Sequence, residues 1–139
     1  MMASTEGAMA FSKGLGAVHS MSHAVGADQE LRLHHGTLNG VILPTILRFN
    51  KGHVGDKYAR ISRAMGKNES TDLAEEIEKL NEKIGLPSGL AAMGVTEDMI
   101  PALVAHSMTD PSNMTTPRLP SQDECCLLYT SPSPRDLAQ

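Results

Sequence analysis

Residues 35–49 read HGTLNGVILPTILRF, and their pattern decides the fold. Leu38, Val41, Ile42, Leu43, Ile46, Leu47 and Phe49 do not alternate as they would on a half-buried strand. They surround a helical axis instead, as in a helix with core on most sides. This segment is therefore expected to be the central helix of the domain. Pro44 should kink it, because proline removes one backbone donor and crowds the preceding turn. Asn50, Lys51 and Gly52 make a suitable end for it.

Downstream, Val54, Tyr58, Ile61 and Met65 recur at spacings of 4, 3 and 4, the stripe of a helix with one buried face. A cleaner amphipathic helix starts at Ser70 or Asp72 and places Leu73, Ile77, Leu80 and Ile84 inward, with a Glu75 to Lys79 pair outside. Gly85 and Pro87 stop it. Beyond the LPSGLAAMG connection, Thr96 is placed to cap a further helix that carries Glu97 and Asp98 in its first turn. Pro101 must either kink that helix or restart it. Residues 110–122 form a polar, proline-bearing extension. Upstream, AVHSMSHAV makes a helix that ends at Gly26, preceded by the breakers Gly14 and Gly16. MMASTEGAMAFSK reads as a buried, uncapped helix that enters from a missing upstream region.

The composition agrees with an all-α, helical bundle-like domain. A chain of 139 residues suffices for one core. Aromatics supply only 3% of it while methionines number 9, and strands draw on aromatic and β-branched side chains. The formal charge of -4 is scattered, which leaves no electrostatic footprint for nucleic acid. The longest apolar run, residues 41–47, is too short to cross a bilayer, and the N-terminus lacks the basic start of a signal peptide. A cytoplasmic protein without a membrane partner is the expectation. Cys125 and Cys126 are adjacent, so they neither staple a fold nor form a CxxC knuckle.

Four of the six histidines lie in GLGAVHSMSHAVGADQELRLHHG. His19 and His23 stand at i, i+4, so both rings leave one face of a helix, and His34 or His35 returns after the loop. Neutral imidazoles in that arrangement suit a divalent metal, with Fe(II) and Zn(II) the natural choices. Histidine pairs at helical spacing also occur on solvated faces, and the spacing alone leaves both readings open. His53 and His106 stand alone. No HExxH, P-loop or GxSxG motif is present.

The run AFSKGLGAVHSMSHAVG, followed by LHHGTLNGVILPTILRFN, closely resembles the signature region of the iron-containing alcohol dehydrogenases. IGLPSGLAAMGVTEDMIPALVAHSMTD and the later TTPR resemble the closing helices of the same domain. The resemblance covers residues 1–120. It implies that His19 and His35 are two metal ligands, His35 being chosen over His34 because Gly36 follows it. It also implies that His23 lies beside the nicotinamide of NAD or NADP and relays the hydroxyl proton of a small alcohol substrate. An Asp and a further His from an upstream helix, and a nucleotide-binding domain, would complete such an enzyme. Neither is in this chain, so it is expected to be an inactive fragment of a longer enzyme, for which the resemblance implies a homo-oligomer. The other class of function is a free-standing helical metal-binding or interaction module. Residues 126–136, CLLYTSPSPRD, resemble the translation of a transposon adapter used to prepare sequencing libraries. The helical domain is accordingly expected to occupy residues 1–124, with 125–139 an adapter-derived or disordered tail.

Overall fold

A computed structural model describes residues 2–130, which form seven α-helices and three short 3-10 turns with no strand among them. The α-helices are α1 (Met2–Phe11), α2 (Ala17–Gly26), α3 (His35–Asn50), α4 (Lys57–Ala64), α5 (Leu73–Lys83), α6 (Ile100–Thr109) and α7 (Gln122–Thr130). The expected all-α architecture is the observed one. Its centre is α2, which packs on α3 and α6, while α3 packs on α5 and α6 on α7. Met21 and Val25 of α2 meet Leu38, Ile42 and Ile46 of α3 and Leu103 and Val104 of α6 in one continuous core. Burying each aliphatic side chain of this kind contributes roughly 1.5–3 kcal/mol, which fixes the register of α2 against its neighbours.

Pro44 does not break α3, a helix of 16 residues that runs on past it to Asn50. The reason lies in α5. Proline at 44 cannot donate to the carbonyl of Gly40, four residues earlier, and the Asn81 side chain donates to that oxygen instead, at 2.7 Å. Gly40 also leaves room for Leu86, whose Cδ1 would lie 2.7 Å from any Cβ placed there. A proline, a glycine and an asparagine from two helices therefore make one joint.

Two expectations change, and one left open is resolved. The helix α1 forms, yet none of its described residues is buried. Of the two stripes, Val54, just before α4, and Leu73, at the start of α5, are buried, whereas Ile61, Met65, Leu80 and Ile84 are 37–62% exposed. Ser62, next to the expected stripe, is the buried residue of α4. Pro101 restarts the chain rather than kinking it: residues 97–99 form a 3-10 turn, and Pro101 sits in the first turn of α6.

The segment after α6 straps the ends of α2 and α3. Thr115 Oγ1 donates to the Leu15 carbonyl at 2.9 Å, and Ser20 Oγ donates to Asn113 Oδ1 at 2.9 Å. The Arg118 guanidinium lies 4.1 Å over the Phe49 ring and pairs with Glu124. The boundary expected at Glu124 falls within α7, which places Cys125 and Tyr129 in the core and lets the Tyr129 hydroxyl donate to the Met21 carbonyl at 3.1 Å. The remainder of the expected tail, residues 131–139, lies outside the described residues.

Candidate metal centre

Helices α2 and α3 bring His19, His23 and His35 together. The His19 and His23 ring centroids are 5.7 Å apart, and each lies 5.2 Å from His35. The i, i+4 spacing puts the first two on one face of α2. Burial of Met21 and Val25 on the opposite side turns that face outward, where the first turn of α3 delivers His35. The neighbouring His34 serves a different purpose, since its Nδ1 accepts the Thr37 backbone N–H and caps α3. His53 and His106 are exposed and outside the cluster.

Three side chains outside the expected site hold the cluster. Asp110, at the end of α6, places Oδ2 2.9 Å from His23 Nδ1. Ser22, fully buried, lies with Oγ 3.4 Å from His35 Nδ1 and donates to the His19 carbonyl at 3.1 Å. Asn39, one turn after His35, lies with Nδ2 3.0 Å from His35 Nε2 and 3.4 Å from His19 Nε2. Asp110 is 87 residues from His23, and only the folded chain joins them. The i+4 relation of Asn39 to His35 is the one signal of this group that the sequence carries.

Burial lowers the pKa of His19, and the neighbouring His35 and His23 lower it further; His35 is lowered by burial and then by His23 and His34. Both rings are therefore neutral at neutral pH, the form in which an imidazole nitrogen can hold a metal. Burial alone would raise the pKa of Asp110, but hydrogen bonds from Ser112 and from His23 outweigh it and hold the carboxyl below its ordinary value. Asp110 is thus a carboxylate that orients His23.

The donor set fits a metal in part. Two neutral nitrogens, His19 Nε2 and His35 Nε2, converge on the single amide of Asn39, while Asn39 Oδ1 is buried without a hydrogen-bond partner. Among the described residues no group of three or more His, Cys, Asp or Glu side chains is placed to hold a metal ion. An apolar groove of about 550 Å³ runs beside His19 and Asn39, walled by Phe11, Val18, Leu43 and Ile46. A cavity of about 210 Å³ between α3 and α5 has no histidine in its lining. No helix among the described residues is long and apolar enough to cross a membrane.

Known proteins share this arrangement of helices. The family model described as the C-terminal part of the Fe-containing alcohol dehydrogenase family matches residues 1–132. The chain is 46% identical over 125 residues to 4-hydroxybutyrate dehydrogenase of Cupriavidus necator, a match that covers 85% of this chain and 33% of that protein. It is 35% identical over 130 residues to lactaldehyde reductase of Escherichia coli K12, which covers 87% of this chain and 34% of the relative. Among solved structures, a 1,3-propanediol oxidoreductase superposes with a TM-score of 0.77 at 28% identity, over 84% of this chain and 32% of the other. The chain thus spans about one third of the length of the curated relatives it matches. It belongs to the Fe-containing alcohol dehydrogenase family and has the fold of that family's C-terminal helical domain.

Proposed function

We propose that this chain is part of a metal-dependent, NAD(P)-linked alcohol dehydrogenase that interconverts small alcohols with aldehydes or ketones. In this reading it contributes His19 and His35 to the metal site and His23 to proton transfer. The observation that carries the reading is the convergence of His19 Nε2 and His35 Nε2 on one point, with the third ring 5.2 Å from His35. A bound Fe(II) or Zn(II) would supply Lewis-acid activation of the alcohol oxygen, and a nicotinamide would supply the hydride acceptor.

The chain's own residues handle the proton. Asp110 holds His23 through Nδ1, which leaves His23 Nε2 as the nitrogen that can accept the substrate's hydroxyl proton, as in other carboxylate-oriented histidines. The carboxylate then steadies the imidazolium. With its side chain 37% exposed against 10% for Asp110, His23 can pass the proton on to water.

Two imidazoles are fewer donors than a catalytic metal site uses. The remaining ligands and the nucleotide domain are assigned to a further part of the polypeptide, and the apolar groove beside His19, with the exposed helix α1, gives that part a place to pack. The likeness of residues 126–136 to adapter sequence supports assigning the end of the chain to adapter-derived sequence, although Cys125 and Tyr129 of α7 pack into the core. The alternative of a free-standing module gains no specific support from the cluster.

The test is direct. The 139-residue chain with added Fe(II) or Zn(II), NAD or NADP and a panel of short alcohols and diols should give no turnover. Measurable oxidation by the chain alone would overturn the incomplete-site reading. In the enzyme recovered from the DNA upstream of Met1, His19→Ala and His35→Ala should abolish both bound metal and activity.

A further inference from the structure

We infer that Asn39 is a positioning residue that sets the tautomers of His19 and His35, turning both Nε2 lone pairs toward one point before any metal arrives. The inference rests on the reading of these two histidines as metal ligands, but its chemistry stands on four hydrogen-bond relations.

The Asn39 amide carries two N–H groups, and Nδ2 lies 3.0 Å from His35 Nε2 and 3.4 Å from His19 Nε2. One N–H can serve each ring, provided that both Nε2 atoms are unprotonated. Ser22 makes the same demand from the other side of His35. Its hydroxyl proton is directed to the His19 carbonyl at 3.1 Å, so its oxygen is left to accept from His35 Nδ1 at 3.4 Å. His35 must then carry its proton on Nδ1. With the amide turned over, its carbonyl would need rings protonated on Nε2, which the Ser22 contact opposes at His35, and two N–H groups would be buried where Oδ1 now lies without a partner. With Oδ1 unpartnered, both of these hydrogen-bond relations are made by the donor half of the amide.

The choice is imposed by the fold, because a free imidazole favours its proton on Nε2. A ring proton is placed by the hydrogen bond that the other nitrogen makes, and here Asn39 acts on the Nε2 atoms themselves. The amide thereby presents two lone pairs to whatever cation replaces its N–H groups, and the α2 and α3 histidines need no rearrangement of protons when a metal enters.

The experiment is a long-range 1H–15N correlation spectrum of the histidine side chains in the full chain, at neutral pH with a chelator present. The exposed His53 and His106 serve as internal references. His19 and His35 should show an unprotonated Nε2 and a protonated Nδ1, while the references favour Nε2–H. Asn39→Ala should return both rings toward the reference pattern. Ser22→Ala should shift His35 and leave His19 in place. Asn39→Asp, which keeps the shape of the side chain and so preserves the packing, should place a proton on Nε2 of both rings, because a carboxylate requires N–H on each Nε2. A wild-type spectrum with Nε2–H dominant on His19 and His35, or an Asn39→Asp variant that leaves both Nε2 atoms bare, would overturn the role of Asn39. With the chelator present, either outcome is independent of the ligand reading, which is tested separately by whether Zn(II) shifts the same two Nε2 resonances.

Discussion

Replacing Asn81 by alanine tests the joint between α3 and α5, because its effect depends on the residue at position 44, which competes for the same Gly40 carbonyl when it has a backbone N–H. The Asn81 amide donates at 2.7 Å to the Gly40 carbonyl, in a partly buried position. That carbonyl needs a donor from outside because residue 44 is proline. A typical hydrogen bond contributes about 1 kcal/mol net, and a buried acceptor left unpaired costs about 1–3 kcal/mol. Partial exposure at this site favours the lower end, so Asn81→Ala should destabilise the chain by about 1.5 kcal/mol, roughly a tenfold fall in the folded-to-unfolded ratio. In a Pro44→Ala background the backbone N–H of residue 44 can bond Gly40 within the helix. The same Asn81→Ala change should then cost only about 0.5 kcal/mol, giving a coupling of about 1 kcal/mol between residues that share one carbonyl. Urea unfolding of the wild type, both single variants and the double variant, followed by helical circular dichroism, measures the cycle. Pro44→Ala has its own packing cost, since Pro44 is buried, and the cycle removes that term. Strictly additive free energies would refute the joint.

Tyr129 is 6% exposed and bonded to the Met21 carbonyl, so Tyr129→Ala should lower stability by about 3–5 kcal/mol. Unchanged thermal unfolding of a chain ended after Glu124 would show α7 to be a bystander. Asp72 caps α5 by accepting the Glu75 backbone N–H at 3.1 Å, and Asp72→Ala should cost about 1 kcal/mol at neutral pH. The Glu75 backbone hydrogen bond, aided by Lys51 and opposed by burial, holds the Asp72 carboxyl below its ordinary value. The contribution is therefore fully present above the unfolded-state pKa and is lost as pH falls through the lower folded value. The gap between wild type and variant should close in acid unfolding curves. A gap that persists below pH ~2 would contradict the capping role.

The helices are legible in the sequence because apolar spacing and end signals suffice for them, as the run 35–49 and the Asp72 start of α5 illustrate. The meeting of His19 and His23 with a histidine after the loop is legible for the same reason, since i, i+4 spacing fixes a face. Choosing between His34 and His35 by geometry requires the cap, in which His34 turns back to Thr37. Asp110, Ser22 and Asn81 act across the fold, and no local pattern announces a contact made 87 residues away. The outward Ile61, Leu80 and Ile84 look like core in the sequence because periodicity reports an apolar face but not what covers it.

The central claim is that His19 and His35 are two donors of one metal site. It is tested most directly by titrating Zn(II) into the chelator-treated chain and following the histidine Nε2 resonances together with calorimetry. One zinc should bind per chain, the His19 and His35 Nε2 signals should move together, and His19→Ala or His35→Ala should abolish the binding while His53→Ala leaves it intact. Binding that survives both substitutions, or no movement of either Nε2, would contradict the account.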